Sequence, residues 1–281
     1  MATRARSMLD PELFEEDPAR DTRFQVAERW VECTNMAEDD PRRIVEFLNR
    51  QMNEELNGLE ALARSLRDFP DVDWEIRLGL ARQCADEARH AAMFRKVLEQ
   101  KGGRVGEYPV LNFQYRIIAK IPTLVGRFTV QNRSFEAGGI DAVEFGITKA
   151  REEGDDALVE LFESQLADEI LHVRFANEAI ATLKQRDPKC ILQMGAALTA
   201  ASKAFREVMG KEGTEGVRYP VAAGAREEAG FKAQEIQLAA DLSETLAIRG
   251  TPGPRDDAGG EAERSADPRE GSRASERGPL P

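Results

Sequence analysis

Apolar residues along the first half of this chain recur in threes and fours. Ile44, Leu48, Met52, Leu59, Leu62 and Leu66 form one such stripe, which is the 3.6-residue period of an amphipathic helix and not the alternation of a strand. Asp40 is placed as an N-cap and Pro41 as a first helical residue, so the pattern predicts a helix from there to about Arg67. The stretch "DFPDVD" breaks the period, Asp73 caps a second helix, and Gly102-Gly103 ends it after about Lys101. A connection of roughly 20 residues follows, with Pro109, Pro122 and a short helical pattern around Arg116. A third helix is expected from about Thr123 to Glu152, with Gly154 past its end. A fourth runs from Asp155 or Asp156 to the "RDP" at 186–188. Two more are expected over about 189–209 and 222–248, separated by "GKEGTEG" and Tyr219-Pro220.

The order is therefore helix, short turn, helix, long connection, helix, short turn, helix. One long crossover between two hairpins is the connectivity of a ferritin-like four-helix bundle. The chain reads as all-α, with an N-terminal extension over 1–40 packed on the outside and the bundle over 41–186. Additional helices over 187–249 pack on the bundle, and a tail fills 250–281. The tail, rich in Pro, Gly, Ser and charge, has too little apolar surface to offset the entropy of ordering and is expected to be disordered. Whether 190–248 caps the bundle, forms a dimer interface or lines a pocket is open at this level. The two hairpins also repeat. "ELNGLEAL" (55–62) aligns with "EAGGIDAV" (136–143), and "ADEARH" (85–90) with "ADEILH" (167–172).

Composition narrows the class. Apolar residues are 41%, aromatics 6% and charged residues 32%, a balance of helical globular proteins. The formal charge of −12 disfavours nucleic acid and anionic membranes as partners. Cys33, Cys84 and Cys190 form no CxxC pair, which argues against a disulfide framework or a cysteine-ligated metal and fits a reducing, cytoplasmic setting. No secretory signal and no run of about 18 apolar residues is present, so no membrane span is expected.

His90 and His172 are the only histidines. Each follows a glutamate by three residues, so Glu87 with His90, and Glu169 with His172, share one helix face a turn apart. Glu55 falls on the apolar stripe between Met52 and Leu59 and points inward, whereas Glu54, on the face of Gln51 and Gly58, looks solvent-facing. Glu136 points inward by the same reasoning, four residues before Ile140. At about 1.5 Å per residue, each glutamate meets its ExxH partner at nearly the same level of the bundle. Four inward carboxylates and two imidazoles at one level are costly without counter-charge. Two divalent cations would neutralise them, and oxygen-rich sets with one imidazole per metal suit iron or manganese. Cys84, a turn before Glu87, reads as a small buried hydrophobe. Gly138-Gly139 after Glu136 serve either close helix packing or room beside the metals.

The constellation Glu55…Glu87-x-x-His90…Glu136…Glu169-x-x-His172 resembles the ligand set of the ferritin-like di-iron carboxylate proteins over about residues 41–186. By that resemblance Glu55, Glu87 and His90 would hold one iron and Glu136, Glu169 and His172 the other, with Glu87 or Glu169 bridging. The string Asp86-Glu87-Ala88-Arg89-His90 is similar to the DExRH pattern of bacterial multicomponent monooxygenase hydroxylases. There the aspartate orients a metal-bound histidine, a role that would fall to Asp86 and Asp168 here; the arginine is not repeated in the second copy. "MNEE", "LARQCADEARH", "TVQNRSFEAGGID" and "LADEILHVRFAN" look most like a little-characterised bacterial ferritin-like group.

The resemblance implies an oxidoreductase that activates dioxygen, a hydroxylase or related oxygenase of a small or carrier-bound organic substrate. The chain has no GxGxxG and no iron–sulfur cysteines, so its electrons would come from a separate reductase or ferredoxin. Alternatives are a ferroxidase or iron-binding ferritin-like protein and a tRNA-hydroxylase-like enzyme, the latter disfavoured by the charge. An enzyme is expected as a monomer or homodimer, a storage protein as a large shell. A radical-generating subunit would want a tyrosine near the metals, yet Phe94 and Ala176 stand a turn after the two histidines.

Overall fold

The computed structural model describes residues 23–33, 36, 39–214 and 219–250. The described chain is predominantly helical. All of the expected disordered tail over 250–281 except residue 250, and the first 22 residues of the N-terminal extension, lie outside the described residues.

Four long helical stretches carry the centre: α1 (Arg43–Asp68), α2 (Trp74–Gln100), a composite third, and α6 (Asp156–Arg186). The third differs from the continuous helix expected. It runs as α4 (Leu124–Val130), a π-helical turn (Gln131–Glu136) and α5 (Ala137–Glu153). Thr123 caps α4 by accepting from the Gly126 N–H, and Gly154 ends α5 in the left-handed region (φ 71°). Asp155 caps α6 through the Leu158 N–H. Asp73 makes no such cap at α2 and pairs with Arg186 instead.

α1 packs on α2, and α5 on α6, as antiparallel hairpins. The hairpins meet through α2 and α6, while α1 and α5 stand apart. Two of the four apolar clusters among the described residues lie above and below the middle of the bundle. One gathers Leu48, Met52, Phe94, Val143, Ile147 and Phe162; the other Leu62, Leu80, Val125, Phe128, Ala176 and Ile180. In every one of the four stretches, Glu55, Glu87, Glu136 or Glu169 lies between the two clusters. The site is thus a polar layer sandwiched between two dry cores.

The crossover is tied down by an asparagine ladder that helix periodicity does not announce. Asn49, Asn53 and Asn57 recur every fourth residue of α1 and are fully buried. Asn53 donates to the Leu111 carbonyl at 2.7 Å, Asn57 donates to the same carbonyl, and Asn49 donates to that of Tyr108. These side chains satisfy the backbone of a buried loop, which would otherwise cost stability. They also seat β2 (Val110–Leu111), which pairs in parallel with β1 (Val26–Ala27), and α3 (Phe113–Lys120).

The later helices cover this frame. α7 (Cys190–Thr214) packs on α3 and α4. The single helix expected over 222–248 is instead α8 (Ala223–Glu228) and α9 (Ala233–Gly250), broken where Gly230 takes φ 88°. α8 rests on α5 and α6, and the Arg226 guanidinium binds both carboxylate oxygens of Asp141. Among the described residues no helix is long and apolar enough to cross a membrane.

Candidate metal centre

All six residues expected as ligands converge. Glu55, Glu87, His90 and Glu169 form one group able to hold a metal ion, and Glu87, Glu136 and His172 a second, with ligand atoms within 4.8 Å of one another in each. That span is about what a coordination sphere with bonds near 2.0–2.2 Å requires. Glu87 belongs to both groups and so stands where a bridging carboxylate would. All are buried except Glu136, which is partly so.

The histidines are arranged alike. His90 Nδ1 faces Glu55 at 3.2 Å, Glu87 at 3.6 Å and Glu169 at 3.8 Å. Nδ1 of His172 lies 3.7 Å from both Glu87 and Glu169 and has no hydrogen-bond partner although buried. Glu169 Oε2 is likewise without one. Buried polar atoms left unpartnered in pairs of this kind are costly unless something sits between them.

Each outer nitrogen, Nε2, faces an aspartate from the opposite helix: Asp168 for His90 at 3.0 Å and Asp86 for His172 at 3.2 Å. The two aspartates thus cross between α2 and α6. With Nε2–H donating to a carboxylate, Nδ1 is turned toward the glutamates, and on losing its proton it would offer a metal its lone pair. Arg89 pairs with Asp168 and donates to Ser164 at 2.9 Å, whereas Arg82 stands 3.7 Å from Asp86. Arg89 accordingly steadies the first aspartate, and the second is held more loosely.

The electrostatics fit a site short of cations. Burial, reinforced by neighbouring carboxylates, pushes Glu55 and Glu136 well above the usual carboxylate range. Burial also raises Glu87, but its hydrogen bond to His90 and the nearby His172 hold it below that range. Burial pulls both imidazoles down, yet the carboxylates outweigh it: hydrogen bonds to Glu55 and Glu87 raise His90 to about 10, and Glu169 does the same for His172. Protons here do the balancing that divalent cations do once bound, and metal binding would release them. Hard oxygen donors with one imidazole per group could hold a metal ion and are not the set that thiol-seeking metals prefer.

Several contributors escaped the helical pattern. Gln165 donates to Glu55 at 2.8 Å, while Glu136 accepts from Asn132 at 2.5 Å and Gln131 at 3.4 Å. Both latter donors lie on the π-helical turn, a distortion that often marks functional positions. The signal for Gln165 was present, since "RQCADEARH" and "SQLADEILH" both place a glutamine four residues before the glutamate. Its counterpart Gln83 is 2% exposed with no partner for either amide atom, so the repeat is not symmetric in its bonding.

A cavity of about 110 Å³ touches all four glutamates, on the side away from the aspartates. Gln51, Glu54 and Gly58 line it, so the face read as solvent-facing is turned toward the site. Gly139 lines it too, and a Cβ on Gly138 or Gly139 would meet nothing within 4 Å. Close packing is therefore not what these glycines serve; at Gly139 the absent side chain leaves room. Gly58 differs, because a Cβ there would sit 3.1 Å from the Glu87 carboxyl carbon. Cys84 is no ligand in either group; it packs with the core around Leu62 and Ile76, and burial raises its thiol to about 11.

Residues 2–237 match the family described as "Protein of unknown function (DUF455)", and the chain belongs to that family. Neither the curated proteins nor the solved structures include a match to it.

Proposed function

We propose that this chain is a ferritin-like di-iron oxidoreductase that activates dioxygen to hydroxylate or otherwise oxygenate a small or carrier-bound organic substrate. The observation that carries the reading is the pair of ligand groups sharing Glu87. Two irons in those groups would supply the electrons and Lewis acidity for oxygen chemistry. The protein's own part is orientation and enclosure. Asp168 and Asp86 orient the two imidazoles through Nε2, and Gln165, Gln131 and Asn132 restrain Glu55 and Glu136. The apolar clusters on either side exclude water. The cavity beside the carboxylates leaves space for oxygen and the reacting end of a substrate. Electrons would arrive from a separate donor, and the enzyme would work as a monomer or dimer.

The test is metal content on protein grown with iron, followed by mixing the anaerobic ferrous form with oxygen. About two irons per chain, with an absorbance change lost in Glu87→Ala, is the expected result. Two metals indifferent to oxygen would leave a structural or manganese centre. Many irons per chain in a large shell would make it a storage protein, and no stoichiometric metal would overturn the reading.

A further inference from the structure

The cavity at the carboxylates is not closed. It shares Gln51, Gln114, Ala142 and Val143 with a larger groove of about 560 Å³ between α1 and α5. The two helices stand apart here, so the groove is the gap between the hairpins. Its volume lies within the range of small-molecule sites. Its walls combine aromatic rings, among them Phe47, Phe145, Phe162 and Tyr219, with the cations Arg50 and Lys149 and a single carboxylate, Glu153. Arg50 is committed to Glu46 at 3.0 Å, a pair with little exposure, so Lys149 is the cation the groove can offer a ligand.

The order of residues gives the groove a direction. Along α5, Gly139 stands at the metal cavity, Ala142 at the neck and Lys149 at the far end. From Glu136 to Lys149 the helix rises roughly 20 Å, so the ammonium and the carboxylate cluster mark opposite ends of the groove and its neck. Lys149 pairs with Glu152 at 2.6 Å, but both side chains are half exposed. Such surface pairs are worth little, so the ammonium is free to turn to a ligand. Gln114, at the neck, presents an amide to both cavities.

We propose that this groove is the substrate site and that it takes a small organic acid with a ring-sized apolar body. The body lies on the aromatic walls, the carboxylate faces Lys149, and the opposite end passes the neck toward the carboxylates. The assignment of the groove to a substrate rests on the oxygenase reading; the ligand chemistry rests on the groove alone.

Titration calorimetry with 3-phenylpropionate and its neutral amide, on metal-free and metal-loaded protein, separates the two. The acid should bind one to one and at least tenfold tighter than the amide. Lys149→Gln should erase that difference, and Ala142→Trp should weaken the acid at least tenfold while metal content and helicity stay unchanged. Metal-loaded protein with no saturable binding of the acid would overturn this inference and leave the metal centre standing. Binding of acid and amide alike, or binding indifferent to Lys149→Gln, would overturn the acid specificity. Selective binding to a chain that holds no metal would sustain the acid site and sink the oxygenase reading.

Discussion

Gly58→Ala separates the metal site from the fold in one substitution. Gly58 lies within α1, where alanine is favoured over glycine by about 1 kcal/mol. The only crowding its methyl meets is the end of the Glu87 side chain: the carboxyl carbon at 3.1 Å and the oxygens at 3.2 and 3.4 Å. Carbon pairs are comfortable at about 3.5–4.0 Å, so the carboxyl group must retreat by roughly 0.4 Å. Without metal that is a small rotation of a flexible side chain. With metal it exceeds the tolerance of about 0.2 Å on ligand distances, and Glu87 belongs to both ligand groups. The expected outcome is a metal-free protein as stable as the parent or up to about 1 kcal/mol more so, by urea unfolding. Metal affinity should fall about 10–100-fold, the usual effect of misplacing a ligand's support, by competition with a calibrated chelator. Unchanged affinity would refute the placement of Glu87 between two metals. A loss of metal-free stability would refute the claim that Glu87 yields freely.

Two further outcomes follow from named contacts. Asp168→Asn should weaken metal binding about 10–100-fold, and Asp86→Asn less, because Arg89 braces only Asp168; chelator competition ranks them, and the reverse order would contradict the bracing. Asp68 is pushed up by burial, but hydrogen bonds from Arg127, Arg64 and Arg67 hold it at about 2, below its usual 3.8. The stability it adds is present above about pH 4 and lost as pH falls toward 2. Asp68→Asn leaves the Arg127 guanidinium buried, at 5% exposure, and should cost about 3 kcal/mol at pH 7. It should also flatten the acid limb of a pH–stability profile.

The candidate ligands were legible because the sequence writes them twice on a helical period. Glu87 and His90 had to share a face whatever packed against it, and so did Glu169 and His172. The inward direction of Glu55 followed from its apolar neighbours. Glu54 was misread for the same reason: Gln51, Glu54 and Gly58 look polar enough for solvent, but that face borders a cavity, and polarity alone does not tell water from a binding site. The asparagine ladder was invisible because asparagine recurring every fourth residue resembles any solvated stripe until a loop backbone is laid across it.

What the sequence determined by itself is the two long hairpins, their duplication and the identity of the six candidate ligands. Each depends on contacts within one helix or one turn, where spacing alone dictates direction. Tertiary structure decided which aspartate serves which histidine, since Asp86 and Asp168 cross between α2 and α6. It decided the π-helical turn that carries Glu136, and the split of the last predicted helix into two. It also decided the gap between α1 and α5 that opens the site to a groove. These depend on distances between segments far apart in the chain, which no local period encodes.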